Sequence, residues 1–350
     1  MFFRRFRKLL SLICSVMMIT FIFIPAEAEQ EENRIRLSGD LYELNSTTAK
    51  ALPAKVITVN NSGVINAEAA TEVLFSQEER SKAIRAETDN VCYKRANKSF
   101  KATDIRVENN GNIEAEIFSY DGSFSYVRSV PDQWTRNDYE SGYGVLSTDG
   151  AAAGCAISKD AALKMAEEVL AELNCPFEYR LYRVNAYSPT DDSYYTTGFY
   201  DVVFQQVINQ VPVAVYNTLP YEEYQSEIRY IPENFYGVRV RVFEDGVYSI
   251  VCEWLTACSV LEEQPANMSL EQALEAFTKY FTDNPQADIS PLPLQIDNIC
   301  FEYAVTGEGA SSYELIPCWS FTKAEDETRF YGLRINATDG SAILFYGCDI

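Results

Sequence analysis

The 350-residue chain contains no histidine. This absence excludes Ser-His-Asp and Cys-His hydrolases, His-Glu zinc peptidases and histidine-based metal sites, because imidazole is the base or the ligand in each of them. The sequence also lacks a Cys-x-x-Cys pair, which disfavours a thioredoxin-like redox site and a ribbon-type zinc site. A glycine-rich loop that could cradle a phosphate is missing as well.

Catalysis without histidine is still chemically possible, chiefly through a Ser-Lys dyad or a pair of carboxylates. Ser320 and Lys323 have the Ser-x-x-Lys spacing, but they lie in an apolar, aromatic run that is typical of a strand, whereas the dyad needs a helix start. Acidic pairs such as Asp191-Asp192 lie in polar turns, and none has the spacing of a calcium-binding loop. We therefore expect a protein that is not an enzyme, with no catalytic residues, no cofactor and no metal.

Positive charge is scarce, since 29 Lys and Arg stand against 51 Asp and Glu, for a formal net charge of −22. Such a surface repels phosphate backbones, so nucleic acid is excluded as a partner. The charges are spread along the chain, which is typical of a solvated surface. With 47% hydrophobic residues, the chain can bury a sizeable core and can divide into two or three domains.

The first 28 residues have the pattern of a secretory signal peptide. Four basic residues between positions 4 and 8 precede an apolar run over residues 9–24, and Ala26-Glu27-Ala28 presents small residues where a signal peptidase reads them. The apolar run falls short of the ~20 residues that span a bilayer. We expect cleavage after Ala28 and a secreted or cell-surface, extracytoplasmic location, with membrane attachment only if this segment is retained as an anchor.

Nine cysteines are present, and eight of them follow residue 28. An even number outside the cytosol permits disulfides but does not establish them. Cys252 and Cys258 lie on one predicted strand, Val247 to Cys258, on the same face but too far apart along it to form a bridge. We expect most of these cysteines to be small buried apolar residues, or to form a few bridges.

Residues 29–135 are predicted to form an N-terminal α+β region. Asn66 can cap a helix running to about Glu87. Asn110-Gly111 and Asp121-Gly122, each flanked by alternating apolar residues, predict two hairpins. The segment from about residue 131 to residue 154 is rich in Gly, Asp, Asn and Ser, and we place a domain boundary there.

Two similar modules are predicted to follow, over residues 155–263 and 267–350. Each begins with a serine-capped helix, at Ser158 or Ser269, and continues into strands rich in Tyr and Val. The segment Phe-Tyr-Gly-x-Arg occurs once in each module, and an Asp-Gly turn follows it both times. Conserved order with different loop lengths indicates a duplication. The predicted fold is α+β, with tandem modules that each pack a capped helix on an antiparallel meander sheet.

The residues of these modules resemble a known group. The helix start Ile157-Ser158-Lys159-Asp160-Ala161-Ala162-Leu163, the run Leu315-Ile316-Pro317-Cys318-Trp319-Ser320-Phe321 and the run Arg334-Ile335-Asn336-Ala337-Thr338-Asp339-Gly340 are similar to those of PepSY-type and YycH/YycI-type extracytoplasmic proteins of Gram-positive bacteria. The resemblance covers about residues 155–350. It implies non-enzymatic work at the cell surface, in which a protease is restrained or a sensor kinase is modulated through its extracellular part.

Aromatic residues are the candidates for partner contact, because the chain has 23 Tyr and three Trp that could stack on sugar rings or grip a peptide. Tyr194, Tyr195, Tyr221 and Tyr224 lie in polar loops and are the predicted partner-binding residues, although tyrosines that cover a sheet edge would give the same pattern. An exposed sheet edge would also allow a partner strand to pair with the backbone.

We thus expect a non-enzymatic exported cell-envelope protein that binds an envelope protein or peptide and regulates a protease or sensor. The alternative is a binder of cell-wall glycan or oligosaccharide, for which exposed aromatic residues clustered on one concave sheet would be the discriminating observation. Trp319 is predicted to lie in the core instead, because it shares strand parity with Leu315 and Phe321. The sequence does not predict an oligomeric state.

Overall fold

The computed structural model describes residues 42–44, 49–60, 63–92, 98–136, 142, 144–147, 150–215, 219–220, 236–284, 294–296, 298–306, 313–324 and 329–348. These residues form two large antiparallel sheets with helices packed on them, so the predicted α+β class is confirmed. The α-helices are α1 (Ala67–Leu74), α2 (Gln77–Lys82), α3 (Lys159–Glu172) and α4 (Leu270–Asp283).

The strands belong to the two sheets and to a separate two-stranded ribbon. They are β1 (Tyr42–Leu44), β2 (Lys55–Asn60), β3 (Ile84–Cys92), β4 (Lys98–Asn109), β5 (Asn112–Tyr120), β6 (Ser123–Arg128), β7 (Val145–Ser147), β8 (Glu178–Ser188), β9 (Phe199–Ile208), β10 (Val211–Pro212), β11 (Leu219–Pro220), β12 (Gly237–Phe243), β13 (Gly246–Glu253), β14 (Thr256–Pro265), β15 (Leu294–Ile296), β16 (Asn298–Thr306), β17 (Tyr313–Ala324), β18 (Arg329–Asn336) and β19 (Ala342–Cys348).

The helices begin where the sequence predicts. Asn66 accepts a hydrogen bond from the backbone N–H of Ala69, and Ser158 accepts one from Ala161. Ser269 and Gln272 form a reciprocal capping box at the start of α4. Each cap satisfies a backbone donor that the first helical turn leaves without a partner.

The predicted length of the first helix is wrong. The helix does not continue to Glu87, because α1 ends at Leu74 and a second capping box, between Ser76 and Glu79, begins the short helix α2. Strand β3 then starts at Ile84. A serine with a glutamate three residues later is a helix-start signal, and here it interrupts what the apolar spacing alone suggests to be one helix.

The first sheet has ten strands in the order β3-β4-β5-β6-β13-β12-β9-β8-β7, and β10 pairs with β9. Helices α1 and α3 lie on one of its faces, over a shared core. The predicted hairpins at Asn110-Gly111 and Asp121-Gly122 are confirmed as the β4–β5 and β5–β6 turns, and the Asp-Gly pair of the first predicted module, Asp245-Gly246, lies where β12 turns into β13. The sheet does not break at the predicted domain boundary, since β6 pairs with β13, and the strands between residues 84 and 128 therefore continue the sheet of the first predicted module.

The second sheet has the order β11-β19-β18-β17-β2-β14, with β16 along the other side of β17. Helix α4 packs on β18 and β19, and β1 pairs with β15 in a separate parallel ribbon. Strand β2 comes from the N-terminal region, yet it lies between β14 and β17. Trp319, on β17, is fully buried, as its strand parity predicts.

The strand predicted from Val247 to Cys258 is wrong as a single element. Strand β13 ends at Glu253, β14 starts at Thr256, and the chain crosses from the first sheet to the second between them. Trp254 is buried in the core of the first sheet and Leu255 in the core of the second. Consecutive side chains of an extended chain point in opposite directions, so Trp254 points into the core of the first sheet and Leu255 into the core of the second. The two residues therefore connect β13 to β14 and do not continue one strand. Cys252 and Cys258 therefore lie on different sheets.

The two predicted modules have the same order of elements. Helix α3 is followed by the neighbouring strands β8, β9, β12 and β13, and α4 is followed by the neighbouring strands β16, β17, β18 and β19. The glycine of the repeated segment is the first residue of β12 in the first module, and the second copy of the segment lies in β18. A Cβ atom on Gly237 would lie 2.2 Å from the carbonyl oxygen of Phe204, which explains the glycine in the first copy. Duplication of the module remains a prediction.

Candidate functional site

The structure places two of the four predicted partner-binding tyrosines in an aromatic cluster on the first sheet. Tyr195 is only 7% exposed, and its ring packs edge-on against Phe199 and Phe243, with centroids 5.0 and 5.3 Å apart. Tyr194 is half-buried against Tyr195. Tyr195 therefore has little surface left for a partner, and Tyr221 and Tyr224 lie outside the described residues. Partner contact by these tyrosines stays a prediction.

A buried ion pair lies beneath this aromatic cluster. The Arg241 guanidinium donates from Nε and Nη2 to the two carboxylate oxygens of Asp201, both at 2.8 Å. The guanidinium also lies 4.6 Å from the ring centroid of Phe199. The bidentate contact engages both oxygens of the buried Asp201 carboxylate, so this group is poorly placed to contact a substrate.

A second buried polar network joins the two sheets. Glu302, on β16, accepts hydrogen bonds from Ser320 at 2.7 Å and from Arg334 Nη2 at 3.2 Å. Gln205, on β9 of the first sheet, donates to the other carboxylate oxygen of Glu302 at 3.2 Å. Ser320 thus lies on a strand, as predicted, and its hydroxyl is committed to a buried carboxylate. This network holds the sheets in a fixed relation.

A pocket of about 340 Å³ lies where the two sheets meet. It lies between the start of β2, the end of β14, the β9–β10 turn and β16; its lining residues are Pro53, Ala54, Lys55, Ile57, Asn209, Pro265, Ala266, Asn267 and Tyr303. The buried side chains of Ala54, Ile57 and Tyr303 form its floor, and the exposed residues form its rim. The pocket is therefore apolar inside and polar at the mouth, like most ligand sites.

Polar groups at this pocket are few. Burial raises the pKa of Tyr303, while a hydrogen bond from the Lys55 backbone opposes that shift, so the phenol stays neutral at physiological pH. The exposed ammonium of Lys55 makes no ion pair with the described residues. Asn209 turns the chain into β10 with a positive φ of 51°, a conformation that asparagine tolerates. The site can therefore hold an apolar group with a polar or anionic atom at the rim.

Strand β14, which ends at the pocket, is an edge of the second sheet. Within the described part of the chain it pairs with β2 alone, and the register of that pairing shifts between Ala257 and Ser259 and between Val260 and Pro265. Sequence reasoning missed this site because the four lining segments span residues 53 to 303 and carry no shared motif. An exposed edge was predicted in general terms, without a strand being named.

The described ranges contain neither a cluster of metal ligands nor a helix that could cross a membrane. In those ranges no group of three or more cysteine, aspartate and glutamate side chains is placed to hold a metal ion. None of the helices in the described part of the chain has both the length and the apolar character that crossing a membrane requires.

Comparisons with known proteins support the fold. No protein-family model and no curated protein matches the chain. The crystal structure of an uncharacterized protein from Eubacterium rectale ATCC 33656 is similar, with 13% identity, a TM-score of 0.53 and 90% of each chain covered. The crystal structure of YycH from Bacillus subtilis matches weakly, with 11% identity and a TM-score of 0.35 over 85% of this chain and 56% of YycH. The PepSY-type resemblance therefore stays a prediction.

Proposed function

We propose that this protein is a non-enzymatic, exported cell-envelope protein that binds an extended segment of an envelope protein or peptide beside β14. The observation that carries the proposal is the apolar pocket at the end of an edge strand. When a peptide adds to a sheet edge, backbone hydrogen bonds give affinity and pockets for its side chains give specificity. Both parts of that recognition mode lie together here.

The size and chemistry of the pocket limit what it binds. A volume of about 340 Å³ is near the lower end for ligand sites, so it suits one or two side chains rather than a large cofactor. The floor of Ala54, Ile57 and Tyr303 favours an apolar side chain. Lys55 at the rim favours a carboxylate or a carbonyl group next to that side chain.

Several features support a binding protein over an enzyme. The chain has no histidine. The buried carboxylates of Asp201 and Glu302 each form an ion pair with an arginine and lie on different sheets, so they do not form the pair of acid and base that paired-carboxylate catalysis needs. Export rests on the signal-peptide pattern of residues 1–28.

The glycan alternative has less support from the described residues. It needs exposed aromatic rings grouped on one concave sheet. Among the aromatic side chains that the structure describes, Tyr182 is the most exposed, at 37%. Phe118 and Tyr120 pack on each other and are half-buried. A peptide or protein partner is therefore the better candidate.

The experiment is crosslinking of the mature chain, residues 29–350, to the envelope fraction of its source cell, followed by identification of crosslinked peptides by mass spectrometry. We expect one envelope protein to be enriched, with crosslinks near Lys55. Synthetic peptides that tile the captured region then measure affinity by fluorescence polarisation.

An Asn267→Trp variant places an indole at the rim and is expected to weaken peptide binding by about tenfold or more. An Ala171→Trp variant, on the exposed side of α3, is the matched control and should bind normally. Capture of glycan without any protein, or unchanged affinity in Asn267→Trp, would contradict the proposal.

A further inference from the structure

Strand β3 is a long and regular sheet edge. It has nine residues, pairs with β4 over its full length without a register shift, and has no described strand on its other side. Natural proteins usually protect such an edge with proline, lysine or a bulge. Strand β3 has no proline, no lysine and no bulge. Its protection consists of charged residues such as Arg85 and Glu87, which still permit pairing with a strand of complementary charge.

The sequence of β3 is complementary to itself. A twofold axis perpendicular to the sheet leaves each side chain on its own face of the sheet. Residues that lie opposite each other in two antiparallel copies are therefore an even number of positions apart in the sequence, and the axis passes between the two copies of one residue. With the axis at Ala86, Arg85 of each copy faces Glu87 of the other. An axis at Arg85 or at Glu87 would instead set that charge against itself. Charge thus selects one register.

The side chains have room for this pairing. Arg85 and Glu87 lie on the helix-bearing face, where Arg85 Nε contacts Glu68 of α1 at 2.8 Å while the side chain stays 45% exposed. On the opposite face Ile84 is 47% exposed. In the Ala86 register, position 84 lies opposite position 88 of the second copy, so the partner strand covers part of this apolar surface.

We infer that two copies of this chain associate through β3, antiparallel and centred on Ala86, so that the first sheet continues across both copies. A second copy is the strand that fits this edge, because the positive charge at position 85 of each copy lies opposite the negative charge at position 87 of the other. Strand β14 belongs to the other sheet, so this inference goes beyond the proposed partner site and either one can fail without the other.

The test uses charge reversal in the mature chain, with oligomeric state measured by sedimentation and light scattering. The native protein is expected to dimerise. The Arg85→Glu variant has acidic groups at positions 85 and 87, and the Glu87→Arg variant has basic groups at both. Each variant alone is therefore expected to dimerise at least about tenfold more weakly than the native protein. A mixture of the two variants restores both opposite-charge pairs and is expected to form a heterodimer.

The Glu172→Arg variant, exposed on α3, controls for the change in net charge and should dimerise like the native chain. Both β3 variants should still bind the partner peptide. If a variant fails to fold, hydrogen exchange of the native chain at low and high concentration replaces it, and protection of the amides of residues 84–88 should rise with concentration. A monomer at every concentration, a dimer that neither single variant weakens, or a mixture without heterodimer would overturn the inference.

Discussion

The side chain of Gln206 pairs with the backbone of Leu255 as a neighbouring strand would. Its Nε2 donates to the Leu255 carbonyl oxygen at 2.6 Å, and the Leu255 N–H donates to Oε1 at 3.0 Å. Both residues are buried, at the point where the chain leaves the first sheet for the second. The amide side chain thus satisfies two backbone groups that have lost their strand partner.

Gln206→Leu is expected to lower the free energy of unfolding by about 2–4 kcal/mol, because it leaves two buried backbone groups without hydrogen bonds. Urea denaturation followed by circular dichroism measures the loss. Gln77→Leu, exposed on α2, is the control and should change stability by about 0.5 kcal/mol or less. Equal stability of Gln206→Leu and the native chain would show that water replaces the amide.

Removing one member of the Glu302–Arg334 ion pair is expected to lower stability more than replacing both residues with apolar ones. Arg334→Met should lower stability by about 3–5 kcal/mol, because the carboxylate of Glu302 stays buried without its cation. Adding Glu302→Leu removes that uncompensated charge and should recover part of the loss. A double-mutant cycle in urea measures the coupling, and additive losses would mean that the pair does not act as a unit.

Glu79 should make stability depend on pH. Burial raises the pKa of Glu79, but hydrogen bonds from Ser76 and the nearby Arg128 outweigh it and hold the pKa below its usual range. A lowered carboxyl pKa contributes stability above the unfolded-state pKa, and that stability is lost as pH falls through the folded-state pKa.

Glu79→Gln should therefore cost about 1 kcal/mol at neutral pH, and this difference from the native chain should shrink below about pH 4. Urea titrations at several pH values measure it. Glu172→Gln, exposed on α3, is the control. A stability difference that stays constant down to low pH would indicate that the substitution acts through packing rather than through loss of the charge.

Five cysteines with described side chains should behave as free thiols. Cys155, Cys175, Cys252, Cys300 and Cys318 form no disulfide. Burial raises the pKa of Cys175 and of Cys318 to about 12, so neither forms the reactive thiolate near neutral pH.

Peptide-resolved alkylation of the native protein should therefore modify Cys155, which is partly exposed, before Cys252 and Cys318, and urea should make all three react alike. Mass spectrometry without reduction measures both. A disulfide-linked peptide that contains any of the five would contradict this expectation.

The parts of the fold that depend on a few neighbouring residues could be predicted from the sequence. The caps at Asn66, Ser158 and Ser269 and the turn at Asp245-Gly246 each need only residues within four positions of one another. The burial of Trp319 followed from strand parity. These local signals were sufficient for the α+β class.

Features that depend on distant residues could not be predicted in this way. Trp254 and Leu255 both favour strands, and only the presence of two separate cores explains why the strand breaks between them. Tyr195 lies among polar residues, yet its loop folds back onto Phe243. The pocket beside β14 combines segments from both ends of the chain, and no spacing in the sequence connects them.

The position of β2 has a consequence for the order in which the molecule assembles. Val59 pairs with Ala257 on one side and with Tyr313 on the other, more than 250 positions later. Because synthesis starts at the N-terminus, β2 is made early, and almost the entire polypeptide must follow before both of its neighbouring strands exist. Pairings this distant slow folding. A chain truncated before Tyr313 would leave β2 paired on one side only and accessible to proteases. Resistance of this N-terminal strand to proteolysis therefore depends on synthesis of the C-terminal strands.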